Sequence, residues 1–289
     1  MLRSMYAGIS GMKNFQTKLD VIGNNIANVN TSGFKKGRTT FQDMMSQTVA
    51  GAQGPTENRG GVNPSQVGLG SQLGTIDNVH TQGFRQTTNN PLDFAIEGDG
   101  MFVVASGNIP NDIFADGADD VAIHYTRAGN FYLDEDGYIV NPQGLYLVGF
   151  QANDTNDDIT NNHGRIQLPE GFKSFSVQTN GTISYIDETG EPKVAGQVAL
   201  ALFSNAPGLE KAGSNLFLDS NNAGRYNTLQ RPETDAGAGA IVSNSLEMSN
   251  VDLAEEFTEM ITAQRGFQAN TRIITTSDEI LQELVNLKR

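Results

Sequence analysis

Three histidines, His80, His124 and His163, are the side chains whose type best suits proton transfer or metal binding near neutral pH. They lie far apart in the chain, none has metal-ligand spacing, and none neighbours a nucleophile motif, so they read as surface or strand positions. Asp154-Thr155-Asn156-Asp157-Asp158 carries carboxylates as a calcium loop does. Its sixth position is Ile159 where the turn needs Gly, and its twelfth is Arg165 where a bidentate Glu belongs. Gly68-Leu69-Gly70 is followed by Gly74, one place late for a dinucleotide fingerprint and outside a strand-to-helix context. Nothing else in the sequence resembles a Gly-rich lysine loop, a serine elbow or a carboxylate pair. The expectation is a non-enzyme: catalytic residues none, metal ligands none, cofactors none.

Composition narrows the class. At 289 residues, with 37% hydrophobic content, 15 Phe, 7 Tyr and 32 Gly, the chain reads as rich in β-structure and turns. The absence of Cys excludes disulfides and zinc–thiolate sites. No apolar run approaches the ~20 residues of a membrane span, and Arg3, Gly8, Gly11 and Lys13 interrupt any signal-like core at the N-terminus. The net charge of −14 is concentrated in the middle of the chain, which argues against nucleic acid as a partner. The N-terminal region is basic (Arg3, Lys13, Lys18, Lys35, Lys36, Arg38) and residues 252–289 are acidic, which favours the two ends lying together.

The terminal segments show a helical period. From Asp252 to Val285 a stripe of Leu253, Phe257, Met260, Phe267, Ile274, Leu281 and Val285 recurs at steps of three and four, interrupted by Gln264, Thr271 and Asp278. That predicts a helix of about 50 Å with a narrow seam, too long to bury itself in a compact domain. Asp252 with Glu255 reads as its capping box. Leu2, Met5, Ile9, Met12, Leu19, Ile22 and Ile26 form a second stripe over Leu2–Asn28, the candidate partner. Its Gly8, Gly11 and Gly23 make it marginal alone and suited to close packing, so disordered ends are expected in the free monomer. The polar positions of the C-terminal stripe would set register between subunits or face a wet channel.

Between the helices the period changes to two. Short runs from Leu92-Phe94-Ile96 to Gln197–Phe203, punctuated by Asp136-Gly137 and similar turns, predict antiparallel strands. The expected fold is α+β: long N- and C-terminal helices in a coiled-coil-like layer, with a central antiparallel all-β domain. The expected boundaries are 1–33 for the N-terminal helix, 34–90 for a connecting arm with 51–74 as loop, 91–245 for the β domain (205–245 mostly loop) and 246–289 for the C-terminal helix.

Specific residues then point to a family. The segment Leu19-Asp20-Val21-Ile22-Gly23-Asn24-Asn25-Ile26-Ala27-Asn28-Val29-Asn30-Thr31-Ser32-Gly33-Phe34-Lys35 resembles the N-terminal signature of bacterial flagellar rod and hook proteins. Glu247–Asp252 followed by Ala263–Asn270 is similar to the matching C-terminal motif, while Leu92–Phe102 and Tyr125–Phe131 resemble the β-domain motifs. The motif residues are Asn24, Asn25, Ala27, Asn28, Gly33, Phe34, Asn250, Gln264 and Arg265. The resemblance implies a flagellar structural subunit of hook or basal body, exported through the type III apparatus without a cleaved signal peptide. It implies polymerisation into a hollow helical tube lined by the terminal helices, contact with other axial proteins (rod, hook cap, hook–filament junction) and no membrane insertion. Residues 19–28 and Leu147–Phe150 lean towards the hook, and the expectation is a subunit similar to the hook protein of Gram-positive flagella, a flexible universal joint that transmits torque from rod to filament; the single modest β domain leans towards the alternative, the rigid distal rod. A surface-binding β module on a coiled-coil stalk is the alternative of another class. The acidic loops 107–120 and 152–162 look like additions.

Overall fold

The computed structural model describes residues 2–56, 59–107, 121–153, 159–224, 229–233 and 237–287. Residues 108–120 and 154–158 of the acidic loops expected at 107–120 and 152–162, and the side chain of Leu2, lie outside what is described, while Ile159–Arg165 forms a strand paired with Tyr146–Ala152. The fold is α+β, with a helix at each end of the chain and an antiparallel β domain in the middle. It divides into two compact units, and the chain passes between them four times.

The first unit comprises residues 1–27, 36–79 and 251–289. Helix α1 spans Leu2–Ala27 and α2 spans Leu253–Leu287. Asp252 caps α2, its Oδ1 accepting from the Ala254 amide at 2.8 Å; Glu255, the other half of the expected box, instead binds Lys36 at 2.9 Å. The helices run antiparallel: Gly8 lies against Ile274, Gly11 against Asn270, Phe15 against Gly266, and Asn25 bonds Glu256. The opposed charges of the two ends do meet, at Lys18–Glu259 (3.2 Å) and Lys36–Glu255.

Within the extended arm expected at 34–90, the stretch 51–74 expected as loop is partly strand, at residues 65–68 and 71–74. Strand β1 (Gly37–Asp43) pairs antiparallel with β4 (Ser71–Asn78), and β2 (Ser46–Ala50) pairs with β3 (Ser65–Gly68), forming an extended two-stranded ribbon. Its outer part is almost wholly exposed, so no hydrophobic alternation betrays the strands in sequence. The ribbon is anchored on α1: Gly70, at φ +123°, leaves room for Ser10, and Asn14 Nδ2 donates to Ser71 Oγ at 2.9 Å.

The second unit comprises residues 28–35 and 80–250. In its main antiparallel sheet the neighbours run in the order Ser174–Val177, Thr182–Ile186, Pro192–Val198, Tyr146–Ala152, Met101–Ser106, Ala122–Thr126, Leu216–Leu218 and Glu210–Gly213. Met101–Ser106 is covered on both faces: Phe102 and Val104 enter one apolar cluster, and Met101, Val103 and Ala105 enter the other. Phe94, Phe102 and Phe131 stack with centroids 5.4–6.4 Å apart at the heart of the first. Residues 205–245, expected to be mostly loop, contribute Glu210–Gly213, Leu216–Leu218 and Ala240–Ser243, the last pairing with Phe94–Glu97.

Candidate assembly site

The residues of α2 turned inward are not quite those of the predicted stripe. Buried and half-buried positions recur as Glu256, Met260, Ala263, Phe267, Asn270, Ile274, Ser277 and Leu281, an unbroken run of steps of four and three. Met260, Phe267, Ile274 and Leu281 were legible as apolar. The alternate positions are offset by one from the prediction, because small and polar residues occupy them. Leu253, Phe257 and Val285 are consequently exposed, at 40%, 50% and 67%. Gln264, Thr271 and Asp278 are exposed too, so they do not interrupt the intrachain seam.

On α1 the facing surface is similarly lean. Ile22 is buried, while Met12, Leu19 and Ile26 are half-buried and Ile9 is exposed on the far side. A Cβ at Gly11 would lie 2.8 Å from Asn270 Nδ2, and one at Gly266 would enter the Phe15 ring, so the glycines set how closely the helices approach. Asn25 is the seam's polar anchor. Its amide pairs both ways with Gly37, Nδ2 to O and N to Oδ1, each at 2.9 Å, and reaches Glu256 Oε2 at 3.2 Å. Burial pushes the Glu256 carboxyl above its usual range and nearby Glu255 and Glu259 add to this, against the opposing effects of Asn25 and Lys36.

The second unit holds a buried charge cluster whose members are far apart in sequence. Glu247 Oε1 meets Lys35 Nζ and Glu247 Oε2 meets Arg127 Nε, both at 2.6 Å, with the carboxylate fully buried. The Gly83 amide donates to Oε1 at 2.9 Å, Lys35 donates to Thr81 O at 2.8 Å, and Arg127 donates to the carbonyls of Gly98 and Gly100. Burial alone would raise the Glu247 carboxyl; the guanidinium and ammonium outweigh it and hold the carboxyl below the usual range. Gly33 belongs to the same knot. At φ +70° its amide donates to Glu247 O at 2.8 Å, and a Cβ would lie 2.4 Å from Ala128 N.

Both features are contacts within one chain, and comparison with known proteins supplies the family. Residues 5–35 match the model for flagella basal body rod proteins, 95–185 that for the flagellar hook protein FlgE/F/G D1 domain, and 242–287 that for the flagellar basal body rod FlgEFG protein C-terminal. The flagellar basal-body rod protein FlgG of Bacillus subtilis is 52% identical over 289 residues, covering all of both chains. The chain belongs to the FlgE/F/G family of flagellar rod and hook proteins. This is a structural family of axial proteins. FlgG of Borreliella burgdorferi is 36% identical over all of both chains. The hook protein FlgE of the same organism is 31% identical, also over all of both chains, in an alignment of 457 positions.

The residues expected to carry the family motif divide between the two units. Asn25 holds the helix seam, with Asn24 and Ala27 exposed nearby on α1. Gly33 and Phe34 are buried in the second unit, where Lys211 Nζ sits 4.9 Å above the Phe34 ring. Asn28 O accepts from the Thr31 amide at 3.2 Å, and Asn250 Nδ2 donates to Thr81 Oγ1 at 2.9 Å. Gln264 and Arg265 stand exposed on α2. Lys35, Arg127 and Glu247 were missed as a site; the available signal was that each is a charged residue inside a quoted motif. The three histidines are not brought together, and among the described residues no three His, Asp or Glu side chains form a metal-holding group.

Proposed function

We propose that this chain is a distal-rod subunit, polymerising through its terminal helices into a hollow, rigid axial tube of the basal body. The observation that carries this reading is the 52% identity to a FlgG over the full length of both chains. The alignments with two hook proteins, of Borreliella burgdorferi and Treponema pallidum, run to 457 and 478 positions, so those proteins carry long insertions absent from these 289 residues. The expectation of a hook subunit gives way to its alternative on those grounds. The lean seam and exposed apolar flanks of α1 and α2 support polymerisation, since a helix face left open in the monomer can be covered by equivalent subunits. Self-assembly in this reading uses Ile9, Met12, Leu19, Ile22 and Ile26 with Leu253, Phe257, Met260, Phe267, Ile274, Leu281 and Val285. Export through the flagellar type III apparatus without cleavage, and junctions with neighbouring axial proteins, belong to the same proposal.

The test is electron microscopy of basal bodies from cells lacking the chain. An incomplete rod with no hook is the expected result. A complete rod lacking only the hook would restore the hook reading.

A further inference from the structure

On the side of α1 turned away from Gly8 and Gly11, an open groove of about 450 Å³ runs between the helix and the base of the ribbon. Tyr6 (69% exposed), Ile9, Met44 and Leu69 form its apolar walls, and Arg3 and Lys13 make its rim basic. α2 presents a complementary ridge. Ile273, Ile280, Leu284 and Leu287 recur at steps of seven, four and three along the flank beside the intrachain seam, and all are 44% or more exposed. Between Ile273 and Leu287 the helix carries Asp278, Glu279 and Glu283 and no base, before the terminal Lys288 and Arg289.

The groove and the ridge of one chain lie on different sides of the helix pair, so a chain cannot fill its own groove while α1 and α2 stay paired. We infer that the groove at Tyr6, Ile9, Met44 and Leu69 receives the C-terminal stretch Ile273–Leu287 of α2 from a second copy of this chain, with Glu279 and Glu283 against Arg3 and Lys13. The inference rests on the filament reading above and specifies its contact. Groove and ridge are different surfaces, so the contact is heterologous: each copy that offers a ridge still has an open groove. Repetition gives an open helical polymer and not a closed dimer. Ridge and groove are apolar at the centre and opposite in charge at the edge, which fixes the direction of addition.

The chain has no cysteine, so an engineered pair reports without background. Full-length Ile9→Cys/Leu284→Cys, assembled and then oxidised, should give a ladder of covalent multimers, and each single variant none. Separately, Arg3→Glu/Lys13→Glu should raise the critical concentration for assembly about tenfold, and adding Glu279→Lys/Glu283→Lys should bring it back. Normal tubes without a ladder, dimers from Leu284→Cys alone, a bridge within one chain, or a charge reversal that is harmless or not rescued would each overturn this contact while leaving the filament reading in place. Wild-type chain that stays monomeric under all assembly conditions would sink the filament reading and this contact with it.

Discussion

In the β unit, the strand Met101–Ser106 is covered on both faces and its first five residues are buried. In the helix and ribbon unit, α2 runs for 35 residues and fully buries only Glu256, Ala263 and Ser277. The β unit buries two apolar clusters while leaving Phe84 and Tyr132 exposed, and the helix unit leaves Phe257, Ile261, Ile280 and Leu284 open to water along one helix. A helix gains most of its stability from tertiary packing. The comparison therefore supports the proposal that the helices complete their packing against other chains. The two buried glutamates carry the same contrast in electrostatic form. Glu247 sits between two cations and is held ionised, while Glu256 meets an amide and is pushed towards its neutral form.

The largest effect is expected in the β unit. Glu247→Ala leaves Lys35 and Arg127 buried without their shared carboxylate and should cost about 3–5 kcal/mol, read from denaturant unfolding followed by a probe in the β unit. A loss under 1 kcal/mol would mean that the cluster is not the knot of that unit.

Next comes His80, whose ring nitrogens find no hydrogen-bond partner among the described residues and whose ring lies 5.6 Å from Phe217. Burial, and then Lys35, Arg127 and Lys211, lower its pKa from 6.5 to about 4. The unfolded chain thus binds the proton more readily, so stability is full above pH 6.5 and falls as pH drops through 6.5 towards 4. Allowing for partial exposure, the fall should be about 2 kcal/mol, and His80→Phe should flatten that window. Glu247, with its folded pKa depressed, contributes stability that is present above about 4.5 and lost further into acid.

Glu256→Gln should act with the opposite sign. A raised folded pKa means that stability is present below about 4.5 and lost as pH rises through the folded value. The amide should therefore strengthen the helix pair at pH 7 by up to about 1 kcal/mol and have no effect at pH 4, as followed by helical circular dichroism. Smallest of all, Phe257→Ser should change monomer stability by less than about 0.5 kcal/mol while weakening assembly. An equal loss in monomer would show that Phe257 is already covered within the chain.

What the sequence disclosed follows the same division. Apolar periodicity found both long helices and the large seam residues Met260, Phe267, Ile274 and Leu281. It mistook the other half of the seam, because Ala263, Asn270 and Ser277 are small or polar, and a hydrophobic pattern is blind to them. The ribbon was hidden for a related reason. Its strands Ser46–Ala50 and Ser65–Gly68 are exposed on both faces, so pairing and not burial defines them. Lys35 meets Glu247 at a sequence separation of 212 and Arg127 meets it at 120, and no local spacing announces such a cluster. The β core was legible wherever strands alternated or ran continuously apolar between turn residues.

The central claim is that the terminal helices are completed by other chains and the β unit is not. Amide hydrogen exchange on dilute monomer and on assembled tubes tests it most directly. The account predicts that amides of α1 and α2 exchange far faster than those of Met101–Ser106 in monomer, and become comparably slow in tubes, with the strand unchanged. Helices as protected as that strand in dilute monomer would contradict it.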